Sequence, residues 1–131
     1  MDFVLDVENL VKEMDAGLMT ADFKHLDGIV LDWHKGKLIV IDEKLDPYHR
    51  RWAIAHEIGH IKDNTVNCGY SMIAERNANN LAVDVLISDE DFLEALENYG
   101  GDYSYLCPLF GVSSDVIDKK YKKLFPKKFN L

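Results

Sequence analysis

The sequence predicts an α+β protein, mostly helical, in which a small β-sheet rests on a packed set of helices. Three observations predict it. Most of the chain spaces its apolar residues as helices do, whereas the stretch 28–42 consists of two β-rich runs about a short Gly-containing turn. The third is size: 131 residues, 47% hydrophobic and 29% charged, suffice for one core and read as a single domain spanning 1–131.

Taken in order, residues 5–18 place Leu10, Val11 and Met14 at helical spacing among acids, predicting an amphipathic helix that ends near Gly17. In 28–42, Ile29-Val30-Leu31 and Leu38-Ile39-Val40-Ile41 flank His34-Lys35-Gly36, the pattern of a β-hairpin. Two strands alone are barely stable in water, so this hairpin belongs in a sheet resting on helices. Asp46-Pro47 then supplies an N-cap and a favoured first helical residue, predicting a helix over 47–62. A polar loop follows, and a second helix over 71–87 puts Ala74, Ala78, Leu81, Ala82 and Val85 on one face. Ser88 caps a short helix with three acids in its first turn, and Gly100-Gly101 stops it. Residues 102–124 read as two helices around Phe110-Gly111-Val112-Ser113, with Pro108 marking a local rearrangement.

Charge narrows the function classes. The net charge is −8, but residues 1–101 carry −11 and residues 102–131 carry +3. An acidic body repels phosphate backbones and anionic membranes, which disfavours a general nucleic-acid binder. Two cysteines make no disulfide framework, the N-terminus lacks a basic, apolar secretion signal, and no apolar run reaches membrane-spanning length; the expectation is a cytoplasmic protein without membrane association.

The chemistry concentrates in His56-Glu57-Ile58-Gly59-His60. On a helix the two histidines lie about 40° apart around the axis and about 6 Å along it, so both imidazoles reach one metal ion. Glu57 is turned about 100° from His56, awkward for a ligand but suited to a general base acting on a water beside the ion. A catalytic zinc takes three protein ligands, so one more is needed. His49 lies about 13 Å along the axis from the midpoint of the pair and Asp63 about 7 Å, too far on a straight helix. The nearest other element is the helix 71–87, where Glu75 supplies a carboxylate and Asn79, four residues on, a group able to orient a ligand. Gly59 lets another backbone come close.

The run Arg50-Arg51-Trp52-Ala53-Ile54-Ala55 leading into that motif, followed by Glu75-Arg76-Asn77-Ala78-Asn79, resembles the ImmA/IrrE family of metallopeptidases. The resemblance covers most of 28–124, including the hairpin and Phe110-Gly111-Val112-Ser113-Ser114. It implies a zincin-like fold, His56, His60 and Glu75 as ligands of Zn2+, and Glu57 as the catalytic base of a peptide-bond hydrolase. It also implies a protein substrate, namely a separate phage-type helix-turn-helix repressor removed by cleavage, as anti-repressors of mobile elements do. The chain departs from the family pattern after the second motif, where Leu81 and Asp84-Val85-Leu86-Ile87-Ser88 replace an aromatic residue and a Leu-Leu-Met-Pro-like ending; this bears on the substrate groove.

Several residues stay open. Manganese or iron fits a His, His, Glu set as well as zinc does in principle. Cys68, as a fourth ligand, would close the site and make the metal structural. Tyr70, Tyr105 and His49 are candidates to stabilise an oxyanion. Asp84 reads as a solvated or locally paired acid, His25 and His34 as exposed, and Cys107 as a small buried residue. The competing reading is a non-catalytic metal-containing regulator that binds a repressor or DNA through the C-terminal helices: residues 106–117, followed by Lys119, Lys120, Lys122 and Lys123, also scan as a helix-turn-helix. Against direct nucleic-acid binding stand Asp115 and Asp118 within the would-be reading helix.

Overall fold

The computed structural model describes residues 3–66 and 71–126. Among these, helix α1 (Val7–Glu13) precedes strands β1 (Gly17–Ala21), β2 (Gly28–Trp33) and β3 (Gly36–Asp42), and helices α2 (Pro47–Lys62), α3 (Met72–Leu86), α4 (Asp89–Tyr99), α5 (Tyr103–Phe110) and α6 (Ser114–Leu124) follow. The mostly helical α+β expectation holds.

The hairpin forms where the sequence places it, with Trp33 opposite Gly36 across the two-residue loop His34-Lys35. It belongs to a three-stranded sheet ordered β1-β3-β2, in which β3 pairs antiparallel with β2 and parallel with β1. Being central, β3 buries Ile39, Val40 and Ile41 in succession, which is why its sequence is a continuous apolar run rather than an alternation. Among the described residues strand β2 has a partner on one side only, and it lines the groove described below.

The N-terminal expectation needs correcting. The first helix ends at Glu13, not near Gly17, and the residues beyond it form β1. Asp15 takes the left-handed conformation at φ 57°, Ala16 N–H bonds to Val11 C=O, and Asp15 N–H bonds to Lys12 C=O. That is a Schellman ending, with Asp in the position glycine usually fills.

Helix α2 is the centre of the molecule. Asp46 accepts from His49 N–H as N-cap and Pro47 opens the helix, as expected. Its buried residues, Ala53, Ile54, Ala55, Glu57, Ile58, Gly59 and His60, go most of the way round, so α2 is enclosed by other elements rather than lying on the surface. Helix α3 packs against it through Gly59: a Cβ there would lie 2.5 Å from Ala78 O, so the backbones touch as the glycine suggested. The Arg-Arg lead is structural. Arg51 donates to the carbonyls of Leu5, Phe110 and Gly111, tying α2 to the N-terminal segment and to the end of α5, while Arg50 pairs with Glu8. Pro108 sits in the last turn of α5 without ending it. One apolar cluster joins α1, the sheet and α2 to α6, with Ile54, Ile58, Phe92, Phe110 and Ile117 fully buried.

Candidate metal centre

The two histidines of α2 project toward α3, their rings 4.8 Å apart. From the first turn of α3, Glu75 reaches both: its Oε2 lies 2.8 Å from His56 Nε2 and its Oε1 lies 3.0 Å from His60 Nε2. The inner ring nitrogens are tied elsewhere. His56 Nδ1 meets Asn79 Oδ1 at 2.7 Å, one turn along α3 from Glu75, and His60 Nδ1 meets Thr65 Oγ1 at 2.9 Å.

The Asn79 contact sets which nitrogen of His56 carries the hydrogen. A carbonyl oxygen can only accept, so His56 Nδ1 donates to Asn79. The Thr65 hydroxyl lies 2.9 Å from His60 Nδ1 and 3.5 Å from the carbonyl of His60, so its oxygen can accept from Nδ1 while its hydrogen turns to that carbonyl. In the neutral rings both Nε2 lone pairs therefore face Glu75, itself acceptor-only when ionised. With those nitrogens unprotonated, two imidazoles and a carboxylate converging within about 3 Å form the donor set of a divalent transition metal. The residues present fit a metal ion.

Glu57 stands beside this set. Candidate ligand atoms of His56, Glu57 and His60 lie within 4.8 Å of one another, so two carboxylates, Glu57 and Glu75, compete for the third position. Contact favours Glu75, which meets both imidazoles directly. Glu57 is 5% exposed, and its Oε2 has no hydrogen-bond partner among the described residues. Burial pushes its carboxyl up to about 7; the nearby charge of Glu75 adds to the rise, and His56 opposes it.

A groove of about 840 Å³ runs past these groups. Strand β2 forms one wall, and His56, Glu57, His60, Thr65 and Glu75 form the other. Leu26 and Trp33, both exposed, stand near the two ends of β2.

Not every candidate arrives here. His49 is exposed at the start of α2, bonded to its cap Asp46, and Tyr105 is exposed on α5, stacked on Tyr99; neither lines the groove, so neither is an oxyanion donor in this arrangement. Cys68 and Tyr70 lie outside the described residues. His25 and His34 are exposed, and Cys107 is half-buried rather than buried. Asp84 is paired, with Lys120 and Lys123. The basic run of α6 is largely engaged within the fold: Lys120 is fully buried between Asp84 and Asp89, Lys123 bonds Asp84 and the carbonyl of Asn80, and Lys119 lies 5.7 Å over the Trp52 ring.

Sequence reasoning missed Thr65. A signal existed, because Asn64 is the residue most able after glycine to take a left-handed helix ending, and that ending turns the next residue back onto the helix.

No helix among the described residues is long and apolar enough to cross a membrane. A search of curated proteins finds no match. The family model for the IrrE N-terminal-like domain, peptidase family M78, matches residues 9–122, and the chain belongs to that family of metallopeptidases.

Proposed function

We propose that this member of the IrrE N-terminal-like peptidase family is a zinc-dependent endopeptidase acting inside the cell, and that its substrate is a helix-turn-helix transcriptional repressor. His56, His60 and Glu75 hold the ion, and Glu57 is the catalytic base. One observation carries the reading: Glu75 meets the outward nitrogens of both histidines, while beside them a buried carboxylate oxygen of Glu57 has no hydrogen-bond partner among the described residues. Zinc, when bound, makes a water more acidic and polarises a peptide carbonyl.

The protein's own groups supply the rest. Glu57 Oε2 takes a proton from the attacking water and returns it to the nitrogen of the leaving amine. Its enclosed oxygen, with no hydrogen-bond partner among the described residues, is free to make both transfers. Asn79 and Thr65 keep the ring nitrogens nearest the backbone protonated, so that the outer ones stay free. The free edge of β2 offers main-chain hydrogen bonds to an extended substrate strand laid along the groove.

The repressor assignment is supported by the family resemblance and by charge. An acidic body of −11 attracts a basic DNA-binding protein, and such an interaction weakens with salt. The intramolecular partners of Lys119, Lys120 and Lys123 favour C-terminal helices that close the core over helices that read DNA.

The test is Glu57→Gln, co-expressed with a helix-turn-helix repressor that the wild-type protein cleaves. Cleavage, followed as fragments on a gel, should fall by about 10²- to 10⁴-fold while metal content and partner binding persist. A Gln variant that cleaves as well as wild type would remove Glu57 as base, and one that regulates without any cleavage in wild type would favour sequestration.

A further inference from the structure

Three helices of this protein end in the same backbone motif, and one ending differs in what it carries. In α1 and α5 the residue after the left-handed position bonds back to the last helical turn: Ala16 N–H to Val11 C=O, and Val112 N–H to Cys107 C=O. The paired residues are apolar and sit in or against the core, the usual accompaniment of a Schellman ending. Helix α2 ends in the same way. Asn64 takes φ 56°, Thr65 N–H bonds to His60 C=O at 3.0 Å, and Asn64 N–H bonds to Ile61 C=O at 3.2 Å. Here the paired residues are Thr65 and His60, and in place of an apolar contact the hydroxyl meets the imidazole Nδ1 at 2.9 Å.

The geometry points to Thr65 as the positioning residue of His60: the Schellman ending of α2 delivers its hydroxyl to Nδ1 and so holds the ring with Nε2 free to bind metal. This rests on the reading of His60 as a ligand. The backbone bond from Thr65 to His60 fixes the distance between the two residues, so the side chains meet without any contact from a distant element. The two ligand histidines are thus oriented by different means. His56 is held from across the helix interface by Asn79, and His60 is held by its own helix's ending. A threonine suits the task because its oxygen accepts from the ring while its hydrogen turns to the carbonyl of His60.

Two measurements test this. The first needs no metal: nitrogen NMR of the imidazoles in the metal-free chain, at about pH 9 and so above the ordinary imidazole range, reports which ring nitrogen of His60 carries the hydrogen. Protonation at Nδ1 in wild type and in Thr65→Ser, with a shift toward Nε2 in Thr65→Val, is the expected result. Nε2 protonation in wild type would overturn the assignment. The second is zinc affinity by competition with a chromophoric chelator. Thr65→Val should bind about 10- to 100-fold more weakly and Thr65→Ser within about threefold of wild type. Equal affinity of the Val variant and wild type would overturn the role of Thr65 while leaving the metal site standing. A Ser variant as weak as Val would show that packing of the methyl group, not the hydroxyl, matters, and would overturn it too. A wild-type chain that binds no zinc would overturn the metal site itself, and with it this role.

Discussion

Helix α3 carries an acid near each end, and the two ends meet their partners in opposite ways. At the C-terminal end Asp84 faces α6, which supplies donors: Lys120 Nζ lies 3.2 Å from Asp84 and 2.5 Å from Asp89, and Lys123 Nζ lies 2.6 Å from Asp84. The cations there belong to the chain, and the cluster is complete. At the N-terminal end Glu75 faces α2, which supplies two imidazoles whose inner nitrogens are already bonded. With those inner nitrogens protonated, what α2 presents to Glu75 is lone pairs, an arrangement that suits a cation from outside the chain. A charged side chain at a helix interface therefore says little about function by itself. The protonation forced on its neighbours by their other hydrogen bonds separates a structural ion cluster from a metal site.

The most damaging way to test the contrast is to move α3. Gly59→Ala would place a Cβ 2.5 Å from Ala78 O and 3.0 Å from Ala78 Cα, both backbone atoms. Neither can rotate away, so α3 has to slide. The expected cost is about 3 kcal/mol or more, with loss of the proposed metal binding because Glu75 lies on the same helix one turn from the collision. Melting and metal affinity close to wild type would show that the helices are not in backbone contact.

That contact was legible, and so was the site around it. The spacing of His56 and His60, the cap Asp46-Pro47 and an acid on the next helix are local features, read from residues a few positions apart. What escaped the sequence depends on distant partners or on a single dihedral angle. Strand β1 is a short segment without clear alternation, and it is a strand because β3 offers an unpaired edge beside it. Thr65 reaches His60 only because Asn64 turns left-handed. Lys120 sits in the Lys-rich run that scans as part of a helix-turn-helix, yet it is fully buried, with Asp84 and Asp89 on two other helices as its partners.

The next effect in size sharpens the open end of the comparison through pH. In the metal-free protein burial holds the Glu57 carboxyl at about 7, above its ordinary 4.5. The folded state therefore keeps this proton longer than the unfolded chain does. Stability from this group is fully present below about 4.5 and is lost as pH rises toward 7, a change on the order of 3 kcal/mol. With chelator present, wild type should lose stability across this window relative to Glu57→Gln, whose side chain does not titrate. The difference is read from denaturant melts of both proteins at pH 5 and about pH 8. Parallel curves would mean that Glu57 is solvated rather than enclosed.

The smallest expected effect is at the closed end. Lys120 is fully buried, but the side chains of its partners, Asp84 and Asp89, are 46% and 64% exposed. Taking the ammonium out of water costs much of what its attraction to them returns, so a buried apolar side chain of the same length should serve nearly as well. Lys120→Met is expected to change stability by no more than about 1 kcal/mol, since both aspartates remain in contact with water, and to leave zinc affinity unchanged. Its signature should lie in acid. Burial pushes the Asp84 carboxyl up, but hydrogen bonds from Lys123 and Lys120 outweigh that and hold it below the usual aspartate range. Its contribution is then present above the ordinary aspartate value and is lost as pH falls through the lowered one. Removing Lys120 takes away part of that lowering, so the acid limb of the stability curve should flatten while the neutral limb stays put. A large loss at neutral pH would mean instead that the lysine organises α3, α4 and α6, as the proposed metal would organise α2 and α3, and the two ends of the helix would then be alike in needing their cation to hold the fold.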